Sequence, residues 1–412
     1  MKIKYTLIAA AAVGLLSTGA QAVDWGGYLR IGPGQKQDSG DGRRCFDGRA
    51  NDNDSGAPGK GGIGRLGNEC NTYGEFGLSQ GMTAGGVTYK ALLMTNFYSA
   101  GSAPDQATDV SPGNHGDNTP RVNQIYVEAK GYDIAPNVNF WIGRRFYHRA
   151  DVHMDDSFYL FGGMQNSTGA GADGIDVGIG SLGVAVFRNN DFAVGANAGT
   201  LLNVDLQGIN VNPGGKLRLT GTYTDFSGTG GESGFGLGLQ HNQSNLFGGA
   251  ENTLWVQYAN GTTALDMGFA NSGTQDSDYK RWRIADSLAW LKGPLTAQTL
   301  IHYGSADTPN ATGGTDTTKT FSIAGRVAYA ITNNFKLQGE LGYARTKPEN
   351  GDSANVTKFT IAPTLTVGPD YYDRPELRFY VSTFKYNDAY QAIYGQSKSS
   401  KTAAGFQAEI WF

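Results

Sequence analysis

Only two cysteines occur in 412 residues, which excludes a fold built on disulfides. Proline is scarce too, with 13 residues against 61 glycines. The glycines follow no triplet, so the chain is not a collagen-like rod. Charge is thin: Asp, Glu, Lys and Arg reach 17%, and the formal net charge is −4. Such a balance offers no basic face, and no nucleic-acid partner is expected. After Val23 no run of roughly 18 uncharged apolar residues occurs, so no membrane-crossing helix is expected. Signatures of chemistry are missing as well. There is no Walker loop, HExxH or CxxC. Gly178-Ile179-Gly180-Ser181-Leu182-Gly183 fits G-x-G-x-x-G, but the Val184-Ala185-Val186-Phe187 that follows reads as strand, where a dinucleotide site needs a helix. Asp52-Asn53-Asp54 lacks the closing Glu of a calcium loop. No metal, cofactor or catalytic residue is expected, and the chain does not read as an enzyme.

What the chain does have is aromatic residues, at 11%, too many for a disordered polymer. It also opens with an address. Met1-Lys2-Ile3-Lys4 is basic, Leu7 to Leu16 is apolar, and Ala20-Gln21-Ala22 fits the small-x-small cleavage rule. Residues 1–22 are therefore read as a signal peptide and residues 23–412 as one exported unit.

After Val23 the pattern has period two, the period of a strand. Ala404, Phe406, Ala408, Ile410 and Phe412 form an apolar parity against Gly405, Gln407, Glu409 and Trp411. At the other end Val23, Trp25, Leu29 and Ile31 oppose Asp24, Tyr28 and Arg30. Similar segments recur at Thr72–Leu78, Gly183–Phe187, Leu254–Tyr258, Ala324–Tyr329 and Leu377–Phe384. Connections come in two sizes. Arg188–Asp191, Lys292–Pro294 and Thr332–Asn334 read as tight turns, while Lys36–Gly62, Ser99–Thr119 and Ala259–Asp278 read as long polar loops. Unpaired backbone in hydrocarbon costs several kcal/mol per group, so a membrane sheet must close. The reading is an all-β, antiparallel transmembrane barrel of the bacterial outer membrane, in contact with its lipid. Period alone does not decide between 16 and 18 strands. Cys45 and Cys70 enclose a Gly/Asp/Asn-rich stretch, and in an oxidising compartment a disulfide stapling an outer loop is expected.

The densest polar cluster runs from Arg144 to Tyr159. It has three readings: an exposed loop, a metal or hydrolytic site of His148, His153, Asp151, Asp155 and Asp156, or a loop folded into the barrel to narrow it. No ligand spacing supports the second. On the inferred lumen parity, aromatic and ionisable residues alternate: Tyr28 with Arg30, Tyr73 with Glu75, Trp411 with Glu409, and Tyr372 with Arg374, Glu376 and Arg378. Rings facing a wet pore suit a solute with an apolar face and a rim of hydroxyls, that is, a saccharide. The competing reading places these rings in girdles facing lipid.

These residues resemble the maltoporin family. The likeness is carried by Arg65-Leu66-Gly67-Asn68-Glu69-Cys70 with Thr72-Tyr73, by Arg145-Phe146-Tyr147 through Arg149, and by Asp151-Val152-His153-Met154 with Asp156. Ile175-Asp176-Val177-Gly178, Asn212-Pro213-Gly214-Gly215, Arg374-Pro375 and Glu409-Ile410-Trp411 extend it over nearly the whole mature chain. The resemblance implies an 18-stranded homotrimer with an inward-folded third loop, passing maltose and maltodextrins by facilitated diffusion. It implies an aromatic slide of Tyr28, Tyr73, Tyr372 and Trp411, with a mid-barrel Phe at Phe235 or its neighbour Leu237. It implies a polar track of Arg30, Arg65, Glu75, Arg121, Arg149, Asp151, His153 and Asp156. Phe158 stands where the family has a constriction Tyr, and Tyr372 where it has Trp. Ser99–Thr119 has no Trp, so the family's second-loop station is missing from the sequence. The rivals are a general or other-oligosaccharide porin and, from another class, an outer-membrane hydrolase at His153/Asp156.

Overall fold

The computed structural model describes residues 23–32, 35–37, 62–69, 72–99, 120–162, 167–189, 199–226, 232–270, 278–310, 314–394 and 397–412. Cys45, Cys70 and most of Ser99–Thr119 lie outside these.

Among the described residues there are twenty-one strands and one short helix. In chain order the strands are β1 (Asp24–Ile31), β2 (Gln35–Gln37), β3 (Thr72–Ala84), β4 (Val87–Ser99), β5 (Arg121–Tyr132), β6 (Ala135–Arg144) and β7 (Ala150–Val152). Then come β8 (Ser157–Leu160), β9 (Ser167–Asp176), β10 (Ser181–Asn189), β11 (Thr200–Asn212), β12 (Gly215–Asp225), β13 (Ser233–Leu246) and β14 (Ala250–Asn260). The last are β15 (Lys280–Trp290), β16 (Leu295–Pro309), β17 (Thr315–Thr332), β18 (Phe335–Pro348), β19 (Ala354–Thr366), β20 (Glu376–Tyr386) and β21 (Ser400–Trp411), with helix α1 (Asp388–Tyr394) between β20 and β21.

β7 and β8 pair only with each other, and β2 extends β1 along the same neighbour, β21. The remaining eighteen strands form one antiparallel ring, each next to its chain neighbour. The ring closes where Tyr28 to Ile31 of β1 pair with Trp411 to Ala408 of β21. The backbones of Gly27 and Phe412 add a reciprocal pair of hydrogen bonds, 2.9 and 3.1 Å.

The alternation has the sidedness a lipid-embedded barrel requires. Leu78, Leu93, Val127, Ile142, Leu202, Val204, Phe379 and Phe406 are exposed on the outside. Arg283, Gln298, Arg326, Glu340, Lys358 and Arg378 are buried inside. The two terminal parities fall as read, with Trp25 exposed and Arg30 and Glu409 buried. All five strand-like segments named above lie within strands.

Three connections depart from the sequence reading. Arg188 and Asn189 are the end of β10, paired with Thr168 and Ser167, and not a tight turn. Gln35–Gln37 is strand, so the first long connection starts later than Lys36. Thr262 to Ala270, read as outer loop, is folded inside and buried throughout.

The lumen constriction as candidate site

Two further segments fill the barrel beside Thr262–Ala270. The first is Gly62 to Glu69, every residue of which is buried. It clings to the wall through its backbone. The Leu66 N–H donates to Glu340 Oε1 at 2.9 Å, and Lys358 Nζ donates to the carbonyls of Gly64 and Leu66 at 2.6 and 3.0 Å. Ile63 packs on Val356, Phe384 and Tyr390, and Leu66 on Ala362 and Tyr380. Gly64 and Gly67 have left-handed backbones, and a side chain there would strike Glu340 or Ser382.

The second segment holds β7 and β8. Val152, Met154 and Tyr159 face the wall against Trp255, Leu300 and Ala324, with the Tyr159 and Trp255 rings stacked at 4.4 Å. A strand sends its neighbouring side chains to opposite faces. Asp151 and Phe158, partners in the β7–β8 register, therefore look the other way, into the open lumen. The base of this loop is tied by His148, whose Nδ1 and Nε2 lie 2.5 Å from Asp205 and 3.2 Å from Asp173. Burial pulls the His148 pKa down, but the two carboxylates outweigh it and raise it. The ring thus bridges two strands, through Asp205 of β11 and Asp173 of β9. The inner segments are also clasped together, since the Arg65 N–H donates to the Met154 carbonyl at 2.8 Å.

A buried ionic chain runs along the wall between these segments. Arg30 donates to Glu69 at 2.7 Å, and Arg65 donates to Glu69 at 2.7 Å and pairs with Glu409 at 2.9 Å. Arg374 donates to Glu409 at 2.9 Å, Arg378 bonds both Glu409 and Glu376, and Lys336 pairs with Glu376 at 2.6 Å. Alternating signs let each buried charge keep partners on both sides, the condition for tolerating burial at all. Asp156 sits 3.9 Å from Arg30.

Aromatic rings line this chain. Tyr73 and Tyr28 stand 6.1 Å apart, and Trp411 and Tyr372 stand 6.2 Å apart. Tyr28 and Trp411 are register partners across the seam. Their polar edges are committed: Tyr28 OH donates to Glu409 and accepts from Arg65, while Tyr73 OH donates to Glu75. Arg374 lies over Trp411 at 4.3 Å and Arg30 over Tyr73 at 5.8 Å. His153 meets Tyr372 and Trp411 edge-on at 5.4 and 5.8 Å. Burial, and then the Arg65 guanidinium, hold its pKa well below the ordinary imidazole range. Nδ1 lies 3.4 Å from Arg65 and Nε2 3.1 Å from Arg374, and an imidazole with a single acceptor nitrogen can take a hydrogen bond from only one of the two.

The structure thus gathers Tyr28, Arg30, Arg65, Tyr73, Glu75, His153, Asp156, Tyr372 and Trp411 in one connected patch. Arg149, Asp151 and Phe158 line the facing loop. Tyr372 lies on the β19–β20 connection and not on a strand as the parity implied. Arg121 is exposed and in register with Asn96, and among the described residues no hydrogen bond or ion pair joins it to the patch. Phe235 is corrected outright. It faces outward, 42% exposed, against Tyr258, and so does Leu237. The inward positions of β13 are Gly236 and Gly238, beside Met267 of the inner segment. Glu69 and Tyr371, whose ring lies 5.8 Å from His153 and 5.1 Å from Tyr372, were not among the expected site residues, and His148 entered only the metal or hydrolytic reading. Glu409 was visible in the parity with Trp411, but nothing local marks Glu69 as buried. Among the described residues no group of three or more His, Cys, Asp or Glu is arranged to hold a metal.

A closed barrel that is apolar outside, polar inside and narrowed by inward segments defines an outer-membrane porin. Solved structures agree on the fold. The OccAB1 protein of Acinetobacter baumannii superposes with a TM-score of 0.53 at 13% identity, covering 96% of this chain and 98% of that one. A BenF-like porin from Pseudomonas fluorescens Pf-5 gives 0.51 at 12% identity, covering 94% and 99%. The chain belongs to the LamB porin family, which it matches over residues 23–412. It is similar to the Maltoporin of Hahella chejuensis (strain KCTC 2396), with 29% identity over 432 residues, 98% of this chain and 96% of that protein.

Proposed function

We propose that this porin passes maltose and maltodextrins down their own gradient, as a homotrimer, once residues 1–22 have been removed. The observation that carries the reading is the run of rings at Tyr73, Tyr28, Trp411 and Tyr372 beside an unbroken ionic chain. A glucose ring lays its C–H face on an aromatic face while its equatorial hydroxyls meet Arg, Glu and Asp at the edges. Stacking of aromatic rings contributes about 0.5–1.5 kcal/mol beyond area burial, so no single station holds the sugar long. Weak stations in series are what conduction needs. No bond is made or broken. Cys45 and Cys70 are proposed to staple the first long connection.

The test is ion current through the protein in a planar bilayer with added maltohexaose. Saturable block is expected, with affinity about three- to tenfold weaker in Trp411→Ala and Tyr73→Ala. Current unaffected by maltohexaose would make the pore a general porin or one for other solutes. Sugar turnover abolished by Asp156→Ala at unchanged conductance would make it a hydrolase.

A further inference from the structure

We propose that Phe146 and Phe158 are positioning residues that clamp Arg149, so that on the loop side of the constriction the sugar meets a fixed guanidinium and not an aromatic ring. The proposal rests on the sugar-pore reading and deepens it. Arg149 is exposed on the lumen side of the inward loop, next to β7. Its guanidinium carbon lies 5.3 Å from the Phe146 ring centroid and 5.1 Å from that of Phe158. Phe161 braces both rings from behind, edge-on to Phe146 at 5.1 Å and stacked on Phe158 at 5.2 Å. Among the described residues no hydrogen bond or ion pair engages the Arg149 guanidinium. Arg30, Arg65, Arg374 and Arg378 of the ionic chain are all tied to carboxylates.

A guanidinium stacked by its flat face keeps its in-plane N–H donors free. Those donors form a planar fork, matched to two acceptors side by side. In a pyranose two neighbouring hydroxyls supply that pair. Arginine loses much side-chain freedom when it binds, and a clamp that holds it beforehand removes part of that cost. Phe158 therefore need not offer a hydroxyl of its own, because the polar contact at this level comes from the residue it carries. A lysine at 149 would still be attracted to the rings but has no planar fork to present, whereas an alanine leaves nothing to clamp.

The experiment is a double-mutant cycle on maltohexaose block, with a second readout that does not depend on sugar. Phe158→Leu is expected to weaken block about three- to tenfold, mostly through faster dissociation, and Phe158→Tyr to restore it. In an Arg149→Ala background, which leaves nothing to clamp, Phe158→Leu is expected to cost nothing further. Equal weakening in both backgrounds would mean that the ring touches sugar directly, and the clamp would be wrong. The second readout is the rate at which phenylglyoxal modifies Arg149 in the folded trimer, followed by mass spectrometry. That rate should rise in Phe158→Leu, and an unchanged rate overturns the clamp. Wild-type current that ignores maltohexaose removes the sugar reading alone, and the modification rate still decides whether Arg149 is clamped.

Discussion

At Asp155 the chain buries a carboxyl completely. Ser157 Oγ donates to Oδ2 at 2.6 Å, and the Gly64 backbone N–H also faces the carboxyl. Burial pushes the carboxyl up to about 8, helped by the nearby Glu340 and opposed by the Ser157 bond. Below about pH 4 the folded and unfolded chains both hold this proton. Between there and pH 8 the unfolded chain releases it while the folded chain does not, so stability falls as pH rises. Asp155→Asn removes that dependence. The variant is expected to be more stable than the wild type at pH 8 by about 1–3 kcal/mol, with the difference shrinking toward pH 4. Thermal unfolding followed by circular dichroism in detergent at both pH values checks this, and a pH-independent difference would refute the burial argument. The group acts only as an anchor, since it faces the wall and not the path. Its position in the Arg144–Tyr159 cluster makes it look like a site residue, because sequence shows the carboxyl but not which way the turn between β7 and β8 aims it.

Among elements, the inner segment Gly62 to Glu69 carries Arg65 and Glu69 into the ionic chain, and it is expected to narrow the bore. At Gly67 the backbone has φ of 65°, and an added Cβ would lie 2.3 Å from Ser382 Oγ and 2.9 Å from the Tyr380 ring. Gly67→Ala combines a left-handed backbone penalty with overpacking, about 2–4 kcal/mol in total, and should lift the segment off the wall. Single-channel conductance is expected to rise, and maltohexaose block to weaken, in that variant. Unchanged conductance would show that the segment does not set the bore. The segment also shows where sequence reasoning ran out. Rows of Gly, Asn and Asp suit a loop in bulk water and equally one bedded in a wet lumen, so composition left Thr262–Ala270 reading as outer loop. The Arg144–Tyr159 cluster was legible only as one of three readings, and the resemblance pointed to the inward one. At β13 the sequence Gly234-Phe235-Gly236-Leu237-Gly238 alternates apolar residues with glycine. No polar side chain marks the lumen parity there, and Phe235 was assigned to the wrong face. Tyr28, Tyr73 and Trp411 were placed on the right face because Arg30, Glu75 and Glu409 stand beside them.

For the whole molecule, everything depends on closing the ring, since the lumen charges could not stay ordered beside lipid at an open edge. The closing seam is β1 between β21 and β3, and β1 is short, with eight residues. It compensates with close backbone approach. A Cβ on Gly27 would lie 2.2 Å from the Glu75 carbonyl oxygen and 3.1 Å from the Phe412 ring, and one on Gly26 would lie 2.9 Å from the Phe412 carbonyl oxygen. The obstacle at Gly27 is backbone, so no rotamer change relieves it. Outside, Trp25 and Phe412 meet at 4.6 Å, and Phe76 lies 6.2 Å from Phe412, forming an aromatic cluster over the seam. Gly27→Val should therefore separate β1 from β3 and with it break the reciprocal Gly27–Phe412 bonds. Overpacking of this kind costs about 1–3 kcal/mol when a core can adjust, and a two-sided seam has little room to do so. Semi-native gel electrophoresis of membrane extracts measures the outcome. The compact, heat-modifiable band is expected to fall sharply in Gly27→Val, while Phe412→Ala, which removes only the outer rings' contacts, keeps most of it. Equal yields for Gly27→Val and the wild type would mean that the ring does not close through β1.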